Sequence, residues 1–172
     1  MTNLQDILDT AIGTWRLAPD RSTVTFRTKT AWGLATVTGA FTEVSGEGVA
    51  ADDVTGRVVV KAASVQTGIG RRDKHLRSPD FFDVERHPDI VVTVHGAESA
   101  VEHTAVLHAT LAIRGTARPL ELPVDVQVLD HDGVQLASDV AVDRAAFGVT
   151  GNLLGMVGPV AEVSATLVFV RF

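Results

Sequence analysis

From Thr14 onward, apolar and polar residues alternate with a period of two. Over 120–128, Leu120, Leu122, Val124, Val126 and Val128 share one face, and Glu121, Asp125 and Gln127 share the other. Successive side chains of an extended chain point to opposite sides, so this pattern predicts a strand with one buried face. The stretch 134–142 repeats it, with Val134, Leu136, Val140 and Val142 opposed to Gln135 and Asp139. The turn residues "HDG" at 131–133 join the two as a hairpin. Similar runs occupy 15–18, 22–28, 34–41, 56–65, 90–97, 104–114 and 160–171, separated by Gly, Pro, Asn or Asp. Many strands with few helices predict an all-β sandwich or a closed antiparallel barrel.

Three stretches break the period. Near the start, Leu4, Ile7, Leu8 and Ala11 fall at helical spacing, with Asn3 and Asp6 as candidate caps and Gly13 as the stop. They predict a short amphipathic helix lying on the domain, so the chain divides into an extension, 1–13, and one β-domain, 14–172. The stretch 143–159 is glycine-rich, apolar and too irregular for a strand, and 71–89 has room for a helical turn or two. Strands 56–65 and 163–170 carry apolar residues on both faces. One face lines the interior, and the other needs a cover, most economically a second copy in a homodimer.

Composition removes several functions. The chain has 172 residues, 15 basic and 21 acidic, and no cysteine. Disulfides and thiolate metal sites are impossible, and the formal charge of −6 gives no basic patch for nucleic acid. The N-terminal "MTNLQDILDTAIG" lacks the basic start of a secretory leader, and no run approaches the length of a membrane span, so the expectation is a cytoplasmic, non-membrane protein.

No catalytic or metal-binding pattern emerges. The six histidines form no HExxH and no close ligand cluster, so each is expected to be a surface or hydrogen-bonded residue; neither metal nor cofactor is called for. There is no GxSxG elbow. "GIGRRD" at 68–73 lacks the third glycine of a dinucleotide loop and is followed by no parallel β-α-β unit. The rival to a non-enzymatic role is acid–base chemistry by His75 or His87 with an aspartate. A second rival is a filled barrel that works through its outer face.

The densest information lies in "RRDKHLRSPDFFDVERHPDI", 71–90. Phe81 and Phe82 stand together in a charged stretch, and so large an apolar pair needs a place to bury. The open end of a barrel supplies one, which makes 71–89 a lid with its aromatics inward. Within it Asp73 is placed to cap a turn starting at Lys74. Arg72 is placed to reach a carboxylate or backbone carbonyls on the rim.

The order "VKAASVQTGIGRRDKHLRSPDFFDVERHPDI", "LAIRGTARPLELPVDV" and "DRAAFGV" resembles the YceI-like family over roughly 15–172. The resemblance implies a lipocalin-like antiparallel β-barrel of about eight strands that binds a long apolar molecule, such as a polyisoprenoid, isoprenoid quinone or fatty-acid derivative. It also implies a dimer and, in many members, export to the periplasm, from which the N-terminal sequence here departs. On this basis Phe26, Trp32, Phe41, Phe81, Phe82, Ile90, Val92 and Phe147 are the candidate cavity and lid residues, and Arg72, Asp73 and His75 the candidate head-group contacts at the rim. Ala62, Ser64, Ala109 and Ala165 are the small residues expected to leave space inside.

Overall fold

The computed structural model describes residues 4–30, 35–130, 132–151 and 157–172. Its strands are β1 (Gly13–Leu17), β2 (Thr23–Thr30), β3 (Ala35–Phe41), β4 (Val44–Ala50), β5 (Val54–Lys61), β6 (Val65–Gln66), β7 (Asp89–Ser99), β8 (Thr104–Ile113), β9 (Thr116–Leu129), β10 (Gly133–Asp143) and β11 (Val157–Arg171). Two helices, α1 (Leu4–Thr10) and α2 (Gly70–Arg77), complete it.

Three pairs of these strands are single ribbons bent in the middle. A turn at Pro19–Arg21 separates β1 from β2, Thr42 and Glu43 separate β3 from β4, and a turn at Ala62–Ser64 separates β5 from β6. Two of the bends are stitched together, since Thr42 N donates to Ser64 O and Lys61 N to Glu43 O. Counting each bent ribbon once, eight antiparallel strands follow one another in chain order, and β11 closes onto β1 with Trp15 opposite Arg171. The fold is an eight-stranded up-and-down barrel with a short N-terminal helix and a second helical segment.

Alternation explains most of the wall. On β9 Leu120, Leu122, Val124 and Val126 turn inward as their period requires, whereas Val128 is exposed, past Asp125 where the pairing of β9 with β8 ends. The strand β4 is an addition to the expected set. Its inward positions are Val44, Gly46, Gly48 and Ala50, so two of the four carry no side chain and the apolar alternation is blank there. The run 56–65 is shorter than expected, since Ala62–Ser64 forms the bend and a separate short strand follows.

Each wall strand is shared between two ends. On β7 to β10, Val94, Ala97, Ala105, Leu107, Val124, Val126, Val134 and Leu136 pack with Ile7 of α1. On the same strands Ile90, Val92, Leu111, Ile113, Leu120, Val140 and Val142 pack with Phe81, Phe147 and Val149. Helix α1 therefore does more than lie on the domain: it closes one end of the barrel, and the α2 segment closes the other. Outside, strands carry charged pairs such as Lys61 with Asp89 at 2.6 Å and Arg16 with Glu47 at 3.9 Å, where a lipid-facing barrel presents an apolar band. No helix among the described residues is long and apolar enough to cross a membrane.

Candidate functional site

Between the two closed ends lies a cavity of about 370 Å³, within the range of small-molecule pockets. Its wall is hydrocarbon almost throughout: inward Val, Leu, Ile and Phe from every ribbon, Ile7, Leu8 and Ala11 from α1, and Leu76, Phe81 and Phe82 from the lid segment. The space comes from side chains that are missing. Gly48 and Gly56 stand directly opposite each other on β4 and β5 and line the cavity with bare backbone. Of the small residues singled out in the sequence, Ala165 lies on the wall, while Ala62 and Ser64 are buried in the β5–β6 bend. Ala109 is buried between Leu107 and Leu111 on β8.

The structure brings Phe26, Phe41, Phe81, Phe82, Ile90 and Val92 together on this wall. Phe26 and Phe41 have ring centroids 5.5 Å apart, and Phe41 meets Phe82 edge-on at 5.8 Å, so a chain of aromatic contacts ties the lid to β2 and β3. Phe26 lies so close over Gly39 that a Cβ there would stand 2.4 Å from its ring. Phe147 is buried behind the wall, in a cluster with Phe81, Leu111, Val142 and Val149. Trp32 lies outside the described residues.

The lid is held by its polar side chains. Helix α2, GRRDKHLR, has a single leucine, so an apolar face cannot seat it. Instead Arg77 donates to Ala63 O at 2.8 Å and to Val65 O at 3.0 Å, and Arg114 of the β8–β9 turn donates to Phe81 O at 2.9 Å and to Gly148 O at 3.0 Å. Arg72 and Asp73 turn onto Thr67. Arg72 donates to Thr67 Oγ1 and O, both at 2.8 Å, while Asp73 accepts from Thr67 N at 2.9 Å and from its hydroxyl. The helix begins at Gly70, so Asp73 lies inside it, with its own N–H bonded to Ile69 O, and reaches back over the preceding turn instead of capping a turn at Lys74. His75 pairs with Asp80 at 3.0 Å and sets its ring edge-on to Phe81 at 5.1 Å.

Arg144, which the sequence did not single out, is a cation on the cavity wall. It donates to the carbonyls of Val149, Gly151 and Gly158, and its guanidinium lies 5.9 Å from the centre of the Phe81 ring. Burial of its guanidinium lowers its pKa from the usual arginine value.

Among the described residues, the other histidines stand apart from the cavity. His95 bonds Thr110 Oγ1 at 2.8 Å, and His108 lies between Glu98 and Glu121 at 3.5 and 3.6 Å on the outer face. His87 packs against the β8–β9 turn at Gly115. Among the described residues no group of three or more His, Asp or Glu side chains is placed to hold a metal ion.

Comparison with known proteins agrees with this geometry. Residues 15–169 match the model of the YceI-like domain. A UPF0312 protein of Azotobacter vinelandii is 34% identical over 64 residues, 37% of this chain and 33% of that protein, and one of Photorhabdus laumondii is 33% identical over 69 residues, 40% and 35%. The matched segment thus spans about a third of these relatives. Among solved structures, Burkholderia cenocepacia BcnA superposes with a TM-score of 0.80 at 20% identity, covering 88% of this chain and 98% of that one. A polyisoprenoid binding domain from Saccharophagus degradans, implicated in plant cell wall breakdown, also gives 0.80, at 19% identity, covering 92% and 98%. A Campylobacter jejuni YceI protein gives 0.62 at 22% identity, over 77% and 86%. These likenesses show the fold. The domain match also corrects the expected cytoplasmic location, because proteins with this domain are characteristically periplasmic or exported. Residues 4–10 form a structural helix, and the lack of leader character in such a helix carries no address.

Proposed function

The chain belongs to the YceI-like family, and from that premise we propose that it binds a long-chain apolar ligand, a polyisoprenoid or fatty-acyl-like molecule, inside the barrel without transforming it. The observation that carries this reading is the cavity of about 370 Å³ between the two helical segments, whose wall is hydrocarbon almost throughout, with Arg144 among its lining residues. Such a wall offers area and few directional contacts, so affinity grows with the apolar surface taken from water, about 25 cal/mol per Å². Phe26, Phe41, Phe81, Phe82, Ile90 and Val92 are the residues proposed to touch the ligand. The Saccharophagus degradans relative is described as polyisoprenoid binding, which supports the same class here. The catalytic alternative has little to work with: His75 and Asp80 meet on the lid segment, and neither they nor His87 line the cavity. Extraction of the purified protein with organic solvent, followed by mass spectrometry, tests the reading. A co-purifying long-chain lipid is expected; an empty extract together with no uptake of a fluorescent fatty acid would sink it.

A homodimer is proposed on a separate observation. Val59, Val91, Ala112 and Ala117 stand side by side across β5, β7, β8 and β9 on the outer face, an apolar row of the kind that a second copy covers. Light scattering after size exclusion should give twice the chain mass, and a monomer at micromolar concentration counts against it.

A further inference from the structure

Helix α1 lies outside the residues that match the family domain, yet it forms one end of the cavity. Ile7 is buried among Ala105, Leu107, Val124 and Val126, and Leu8 and Ala11 join it on the cavity wall. The distance from these three side chains to Phe81 and Phe82 is the length that the barrel offers to a chain.

Two features make α1 the wall that decides that length. Near this end the barrel contributes bare backbone at Gly48 and Gly56, and a Cβ on Gly56 would come within 2.8 Å of Glu47 O, so that position leaves no room for a side chain. Ile7, Leu8 and Ala11 bound the space at this end together with strand side chains such as Val94, Leu107 and Val126. The helix in turn is fixed by groups from the closing strands of the barrel. Trp15 Nε1 donates to Ala11 O at 2.8 Å, while Arg171 donates to Thr10 O at 2.9 Å and to Ile12 O. Three consecutive carbonyls at the helix's C-terminal end, where intrahelical donors run out, are thus captured. Arg171 also lies over the Trp15 ring at 4.6 Å, which holds the two clamps against each other.

Resting on the reading of the cavity as a binding site for a long apolar chain, we propose that α1 is a depth stop: Ile7, Leu8 and Ala11 set the ligand length that this protein prefers. The ligand's terminal methyl meets α1, and its polar end points toward the lid, where Arg144 is among the lining residues.

The test is the affinity of the full-length protein for saturated fatty acids of increasing length, by displacement of a fluorescent fatty acid. For the wild type, affinity should rise roughly fourfold with each added methylene and then level off where the chain meets the helix. The double substitution Ile7→Ala, Leu8→Ala deepens the space and should move that limit to longer chains. Ala11→Leu fills it and should move the limit to shorter ones, and it decides the matter alone if the double variant does not fold. A limit that stays in place while all affinities change together would overturn the depth stop and leave the binding function standing. No binding at any length by the wild type would overturn both.

Discussion

The two ends of this barrel are closed by different physics. At the lid end a charged helix is bolted down by arginines whose N–H groups reach backbone carbonyls: Arg77 to Ala63 and Val65, Arg114 to Phe81 and Gly148. At the other end a short amphipathic helix presses Ile7 and Leu8 into an apolar socket and is clamped at its C-terminal end, by Trp15 and Arg171. Hydrogen bonds fix direction, whereas apolar contact is non-directional and tolerates sliding. The lid end is thus a positioned floor, and the α1 end is a packed stopper held at its C-terminal end.

That contrast is open to a graded series of urea melts. Phe81 is 4% exposed and joins the lid to Leu111, Val142 and Phe147, so Phe81→Ala should cost about 3–5 kcal/mol. Ile7 is as deeply buried, at 5%, but it borders the cavity, so its loss enlarges a space that already exists, and Ile7→Ala should cost about 2 kcal/mol, the low end for such a truncation. Equal losses at the two ends would break the distinction. Asp73→Asn keeps an acceptor for Thr67 and gives up the charge, which should cost about 1 kcal/mol. The smallest effect is one of pH. Asp53 follows β4 at the α1 end, and hydrogen bonds from the backbone N–H of Ala97, first, and of Val54 hold its carboxyl below the ordinary aspartate value. A lowered folded-state pKa stabilises the protein above the unfolded value, about 4, and that contribution is lost as pH falls through the folded value. The stability gap between wild type and Asp53→Asn should therefore be constant near neutrality and shrink below about pH 4; a gap that widens on acidification has the wrong sign for this account.

How far the sequence discloses this molecule depends on where side chains do the reporting. Strands β9 and β10 are legible because nearly every inward position carries a large apolar residue. Strand β4 is not, because Gly46 and Gly48 remove the signal from the face that matters, and Gly48 is also one of the two glycines that line the cavity. The lid is legible from the adjacent Phe81 and Phe82, but its fastening is not. Arg72 and Asp73 look like rim residues awaiting a head group, and only the fold brings Thr67 within reach of both. Likewise the spacing of Ile7, Leu8 and Ala11 discloses that α1 buries a face, without disclosing that the face belongs to a ligand-sized space.

The seam between β11 and the bent ribbon of β1 and β2 has a kinetic meaning. Every other junction in the wall joins ribbons adjacent in the chain, and such hairpins form locally and early; the seam brings Trp15 to Arg171 and sets the N–H of Phe172 on Thr14 O. It is the contact of greatest sequence separation and closes the largest loop, so it is the natural bottleneck of folding. Until that seam zips, the meander is an open sheet with both edges bare and no interior. A ligand therefore has nothing to bind in the unclosed chain, and occupancy acts on the rate of opening, leaving the rate of closure to topology.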